Sequence, residues 1–382
     1  MSEFIGLADR HADLRDEIRR FAEAALEPAI DHYEDSGRFP RDIIEDLAAE
    51  GYFGASYPPA YGGRDVDMRS MAVIQEELSR VWKLPAGVMN VASTLVGHPI
   101  REHGDEWQRE EWLGAMFSNG SVGALSMTEP DAGSDASAIS TTARRDGDEW
   151  VIDGHKHWTS YGHVAGLLLV LARTGDERHD LSLIGVPMDP PGERDGVEFV
   201  RDQETMAGSA GVESEIRYDG CRVPADHLVG ERDAGFEYIM RALDLGRINT
   251  AAQGIGVAQG AFEAARSFAG EREQFGRPIH EFQGVGFKLA DMRMDIQGAR
   301  LLTYQAAADE DGGGVEPATA AMAKTRATDV AMDVTTEAVQ VHGARGYSTD
   351  YPVERYMREA KGMQIYEGTN EINRQVIVNG LY

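Results

Sequence analysis

The chain has a single cysteine, Cys221, among 382 residues, so no internal disulfide can form and a reducing compartment suits it. Lysine is nearly as scarce. Basic residues number 37 against 65 acidic ones, and the formal net charge is −28. Such a surface repels nucleic acid and anionic lipid, which argues against both as partners. Long apolar runs are missing too. The longest, residues 164–172, falls far short of the roughly 20 residues a membrane-spanning helix needs. The opening Met1-Ser2-Glu3-Phe4 leads into charge within ten residues, without an apolar signal core. A soluble, cytoplasmic protein without membrane insertion is expected. The acidic charge is spread along the chain rather than gathered in a tail, so it is not an acidic disordered segment. It reads as a solvation device suited to a halophilic cytosol, where salt screens self-repulsion.

What is present is ample core-forming material for two or three domains, in an α+β arrangement. Residues 1–120 carry helical spacing: Leu14, Ile18, Phe21 and Ala25 recur up to Pro28, and Ile43, Ile44 and Leu47 repeat the pattern before Gly51. Residues 121–232 change to period two and β-branched residues. Segments 139–143 and 150–152 flank the turn signal Asp146-Gly147 and read as a hairpin, and further short strands suggest a small β-barrel or sandwich. From 233 to 382 the pattern is helical again, with long alanine-rich segments broken at Gly276-Arg277-Pro278 and at residues 309–314, as in a helical bundle. Gly254-Ile255-Gly256-Val257-Ala258-Gln259-Gly260 imitates a dinucleotide fingerprint. It has the wrong last spacing and no preceding strand, so small residues for close helix packing are the better reading.

One stretch carries the chemistry: Gln364-Ile365-Tyr366-Glu367-Gly368-Thr369-Asn370-Glu371-Ile372. Thr369 and Asn370 suit a helix N-cap, and residues 371–378 have amphipathic helical spacing. Glu367 then lies on irregular backbone ahead of a helix N-terminus, with Gly368 permitting close approach of another molecule. Taken alone, the string fits either a loop glutamate before a capped helix or a general base beside anion-stabilising N–H groups. Thr128 and Ser134, in Leu125-Ser126-Met127-Thr128-Glu129-Pro130-Asp131-Ala132-Gly133-Ser134-Asp135, offer hydroxyls to an oxygen-rich ligand, although a polar strand-end loop is more often only a turn. Trp158, in Gly154-His155-Lys156-His157-Trp158-Thr159-Ser160, reads by itself as a core or hairpin residue. His155, His157 and His163 do not make a metal site, with no cysteine near and alternate strand residues sharing a face by default. Arg272, in Arg272-Glu273-Gln274-Phe275-Gly276, is by itself a solvated charge at a helix end.

Together these segments resemble the acyl-CoA dehydrogenase family, in order and at the right separations along essentially the whole chain. The resemblance implies that family's fold: an N-terminal helical domain, a middle β domain and a C-terminal four-helix bundle. It implies FAD as cofactor, an acyl-CoA substrate, oxidation to the trans-2-enoyl-CoA in fatty acid β-oxidation, and electron-transfer flavoprotein as acceptor. Glu367 corresponds to the catalytic base that removes the α-proton. Leu125, Met127, Thr128, Ser134, Trp158 and Ser160 correspond to positions along the flavin ring. Thr369 and Glu371 match flavin-contacting positions after the base. Ser134, Asp244, Arg247 and Gly368 match substrate-binding positions. Arg272, Phe275, Gln283, Gln340 and Gly343 match residues that a neighbouring subunit lends to the cofactor, which implies at least a dimer and usually a tetramer. The chain departs from the family pattern in two places: Ala344 stands for a glycine, and Met206-Ala207-Gly208-Ser209-Ala210-Gly211 lacks the usual arginine and serine. Some relatives carry the base at the position of Gly246, where glycine cannot serve, so Glu367 stands alone as the candidate. An acyl-CoA oxidase on the same fold and a cofactor-free helical scaffold are the competing expectations.

Overall fold

The computed structural model describes residues 7–208 and 210–382; the opening tetrapeptide and Ser209 lie outside the described residues. The N-terminal part carries helices α1 (Asp9–Phe21), α2 (Ile30–Ser36), α3 (Arg41–Ala49), α4 (Met68–Val81), α5 (Lys83–Asn90), α6 (Gly97–His103), α7 (Glu106–Gln108) and α8 (Gly114–Asn119). The helical run that starts at Asp9 closes with a π turn, Ala22–Leu26, just ahead of Pro28. The proline sits at the start of a single 3₁₀ turn, where its missing N–H costs nothing, and helix resumes at Ile30.

The middle part is a sheet of strands β1 (Val122–Ser126), β2 (Thr142–Asp146), β3 (Glu149–Ser160), β4 (Ala165–Arg173), β5 (Leu181–Pro187), β6 (Val197–Asp202), β7 (Glu213–Pro224) and β8 (Leu228–Val229). The order is β6-β7-β3-β2-β4-β5-β8, with β1 parallel to β4. The expected hairpin is β2–β3, closed where Asp146 pairs with Glu149 and turned by Gly147 at φ 62°. Ile152, Leu168, Ile184 and Val223 fill one face of this sheet, while Leu167, Leu169 and Leu171 on the alternate face of β4 pack against the N-terminal helices.

The C-terminal part holds α9 (Gly235–Glu271), α10 (Gln283–Asp311), α11 (Pro317–His342), α12 (Val353–Met363) and α13 (Asn370–Asn379). Buried alanines of α9 and α11 let these helices approach closely. The apparent fingerprint glycines serve packing. A Cβ at Gly256 would lie 2.2 Å from the Glu76 carbonyl oxygen, and one at Gly260 the same distance from that of Arg80, so α4 crosses α9 where side chains are missing. The same crossing buries charge. Glu76 accepts from Arg300 at 3.1 Å and from the Tyr304 hydroxyl at 2.8 Å, and Glu77 accepts from Arg80 at 3.0 Å. These carboxylates are paired and hydrogen-bonded, the condition under which buried charge is tolerated, and they fix how α4, α9 and α10 meet. No helix among the described residues is long and apolar enough to cross a membrane.

Candidate active site

Between α12 and α13 the chain turns through two consecutive left-handed residues, Glu367 at φ 59° and Gly368 at φ 78°. A glutamate in that region is strained and persists only when its surroundings hold it. The holding groups are specific. The carbonyl of Gly368 accepts from the Lys324 ammonium at 2.9 Å and from Asn373 Nδ2 at 2.8 Å, and Lys324 also donates to Asn370 Oδ1 at 2.9 Å. Thr369 caps α13, its Oγ1 accepting from the Ile372 N–H at 3.2 Å. Lys324 is fully buried, and burial pulls its ammonium down to about 7 against the opposing pull of Glu367.

As a residue Glu367 is half-buried, yet its carboxylate tip is enclosed. Oε1 accepts from Asn90 Nδ2 at 3.1 Å, while Oε2 is buried with no hydrogen-bond partner in the chain. The carboxylate rests on α9 at Gly246, where a Cβ would stand 2.6 Å from Oε2 and 2.8 Å from Oε1. Beside it Arg247 is buried, donating to Asp244 Oδ1 at 2.6 Å and reaching the Glu367 carbonyl at 3.4 Å. Burial pushes the Glu367 carboxyl up to about 7, outweighing Arg247, Lys324 and the Asn90 hydrogen bond, which act the other way. An enclosed, half-satisfied carboxylate with an affinity for protons near neutrality is the form a general base takes.

The β side is built around a second buried lysine. Lys156 of β3 donates to the Met127 carbonyl at 2.7 Å and to Glu129 Oε1 at 3.0 Å, and the His157 N–H donates to the Thr128 carbonyl at 2.8 Å. These bonds fasten the 127–134 loop to β3. Strand alternation alone would put Trp158 on the same inward face as Lys156. A register shift between Lys156 and Thr159, with Trp158 at φ 58°, turns the indole outward and leaves it 51% exposed. A strained tryptophan left half exposed suits a planar aromatic ligand. Two residues on, the Ser160 hydroxyl donates to Glu213 Oε2 at 2.8 Å, and burial pushes that carboxyl up to about 7. Leu125, Met127 and Thr128 are half-buried, and Ser134 is exposed.

The remaining site residues expected from sequence lie elsewhere. Arg272 caps the far end of α9, followed by Phe275 at φ 53° and 94% exposed; Gln283 opens α10; Gln340 and Gly343 end α11, with Gly343 at φ 61°. At 1.5 Å per residue, the 26 residues from Gly246 to Arg272 span about 39 Å of α9. One chain therefore presents two separate groups of these residues. Glu371 is exposed on the first turn of α13. Among the described residues no group of three or more His, Cys, Asp or Glu side chains is placed to hold a metal.

Sequence reasoning missed Asn90, Lys324, Lys156 with Glu129, and Glu213. Lys324 left a usable signal, as one of very few lysines and set in an alanine-rich helical run. Asn90 left none, because its partner is 277 positions away.

Sequence comparison matches residues 8–120 to the acyl-CoA dehydrogenase N-terminal domain, 124–221 to the middle domain and 233–382 to the C-terminal domain. The chain is 36% identical to the short-chain specific acyl-CoA dehydrogenase of Clostridium acetobutylicum, over 97% of each chain. Among solved structures it is similar to butyryl-CoA dehydrogenase from Megasphaera elsdenii (TM-score 0.93, 36% identity, 98% of each chain). It is also similar to a chain in a structure of the electron transferring flavoprotein of Acidaminococcus fermentans (TM-score 0.94, 38% identity, 98% of each chain).

Proposed function

Because the chain belongs to the acyl-CoA dehydrogenase family, oxidoreductases that act on CH–CH bonds and bind FAD, we propose that it oxidises a short acyl-CoA thioester to the trans-2-enoyl-CoA. The observation that carries this reading is the Glu367 carboxylate, enclosed, unpaired at Oε2 and seated on Gly246. Glu367 takes the proton from the α-carbon. Its backbone N–H, at the head of a capped helix, is assigned to the developing enolate oxygen, a donor worth roughly 100- to 1000-fold in rate. Arg247 and Lys324 hold the loop so that the carboxylate meets the substrate without rearranging.

The residues present fit FAD. Trp158 offers an exposed aromatic face, and the Ser160 hydroxyl and the fastened 127–134 loop offer polar groups beside it. Bound FAD supplies the hydride acceptor for the β-carbon. Arg272, Phe275, Gln283, Gln340 and Gly343 are assigned to the cofactor of a second copy, since Arg272 stands about 39 Å along α9 from Gly246. Self-association is supported by α10, which leaves Phe287, Met294 and Leu301 exposed at seven-residue spacing, an apolar stripe on one face of the helix. Electron-transfer flavoprotein is the proposed acceptor, β-oxidation in a salt-rich cytoplasm the proposed setting.

The test is anaerobic mixing of the purified protein with butyryl-CoA. Bleaching of the flavin band is expected, with electrons passing on to an artificial dye. Steady peroxide formation in air without dye would instead make the protein an oxidase, and colourless protein that FAD cannot reconstitute would end the proposal. The rate of bleaching should rise with pH through about 7, close to tenfold per unit below that point, because only the ionised Glu367 accepts a proton. A rate flat from about pH 5 to 9 would assign the proton to another group.

A further inference from the structure

Next to the base lies a polar relay that plain alkyl chains do not call for. Glu367 Oε1 can only accept when ionised, so the amide of Asn90 must turn its Nδ2 toward it, at 3.1 Å. That choice leaves Asn90 Oδ1 as an acceptor, and it takes Asn249 Nδ2 at 3.0 Å; the same Asn249 nitrogen also donates to Thr94 Oγ1 at 2.9 Å. The sense of the relay is therefore set by the carboxylate, and Asn249 Oδ1 is left over. It is buried and has no partner in the chain. Thr250 Oγ1, the next residue of α9, is buried and unpaired as well. Asn249 and Thr94 line a cavity of about 200 Å³, together with Leu245, His98, Arg101 and the carboxylate Glu310. That space holds on the order of six water-sized groups. A buried carbonyl oxygen without a donor costs free energy until something supplies one, and the space that Asn249 borders is this cavity.

We propose that the acyl group accepted by this site is short and carries a hydrogen-bond donor, a hydroxyl in the simplest case, on the part of the chain beyond the β-carbon. With the α-carbon at Glu367, the chain runs past Asn90 toward the cavity, and the hydroxyl donates to Asn249 Oδ1. This inference rests on the proposed dehydrogenation and specifies its substrate class. Leu245 supplies apolar contact for the methylenes. His98, which also lines the cavity, is held neutral by burial, its imidazole pulled down to about 4, and the Arg101 guanidinium there is outnumbered by the Asp67, Glu310 and Asp311 carboxylates, so the lining offers no net positive charge to a carboxylate-tipped chain.

Matched pairs of thioesters test it on the intact holoenzyme. Each pair replaces a terminal hydroxyl with an isosteric methyl: 4-hydroxybutyryl- against pentanoyl-CoA, 5-hydroxypentanoyl- against hexanoyl-CoA. The hydroxyl member of at least one pair is expected to reduce the flavin with kcat/KM about tenfold or more above its methyl partner. Asn249→Leu is expected to invert that ratio, even though it lowers both rates by loosening Asn90. Methyl members equal to or better than their partners in both pairs would overturn the inference while leaving the dehydrogenase intact. A flavin that no thioester bleaches would instead remove the proposed reaction. The pairs need no variant to be decisive, and a ratio left unchanged in a folded Asn249→Leu protein would also count against the assignment.

Discussion

Glu367→Gln is expected to slow flavin reduction by acyl-CoA about 100- to 10,000-fold, the usual contribution of a positioned proton acceptor, while the protein stays yellow. The amide keeps the size of the carboxyl and can still meet Asn90, so binding should survive where chemistry does not. The same substitution has a second, opposite readout. An unfolded chain ionises this carboxyl near its ordinary 4.5, whereas the folded chain holds the proton up to about 7. Between those values the folded state binds more protons than the unfolded one, so this group's contribution to stability falls as pH rises through that window. The glutamine variant should therefore melt at a higher temperature than the parent at about pH 8 and at the same temperature at about pH 4. Differential scanning calorimetry at the two pH values would show it. Equal melting temperatures at both would mean that the carboxyl is not held out of water, and retained turnover would mean that it is not the base.

Gly246→Ala should cost about 100-fold in kcat, although it adds only a methyl group to a helix. The new Cβ would stand 2.6 Å from Glu367 Oε2, closer than atoms can approach. Lys324 and Asn373 pin the neighbouring Gly368 carbonyl, so the loop cannot retreat and the carboxylate must rotate away. A displacement of about 1 Å at a reacting group is worth roughly that factor. Gly270→Ala, on the same helix with open space around the added carbon, is the control and should leave kcat unchanged. Full activity in Gly246→Ala would place the working carboxylate somewhere other than against α9.

Much of this was legible in the chain because its signals are local. The Thr369 cap, the glycine after Glu367 and the Asp146-Gly147 hairpin each depend on residues within a few positions, and each has the expected form in the structure. Gly256 and Gly260 were also readable as packing residues, from the helical run around them. What stayed hidden depends on distant parts of the chain meeting. Nothing around Asn90 shows that it orients a carboxylate near the other terminus, and nothing around Lys324 shows that its ammonium braces a strained turn. The outward placement of Trp158 was hidden for another reason. Period-two alternation gives a strand residue's side only while the register holds, and the bulge beside it reverses the answer.

The stretch of α9 between Gly246 and Arg272 bears on how the protein would behave on dilution. A rigid rod about 39 Å long keeps its two ends from ever serving one small molecule. On the proposed assignment of Arg272 to a second copy's cofactor, each flavin would be gripped by surfaces belonging to different copies, and its retention would follow the association of those copies by mass action. Prosthetic group and partner would leave together, so fading colour in a dilution series would report on quaternary structure as much as on the pocket itself.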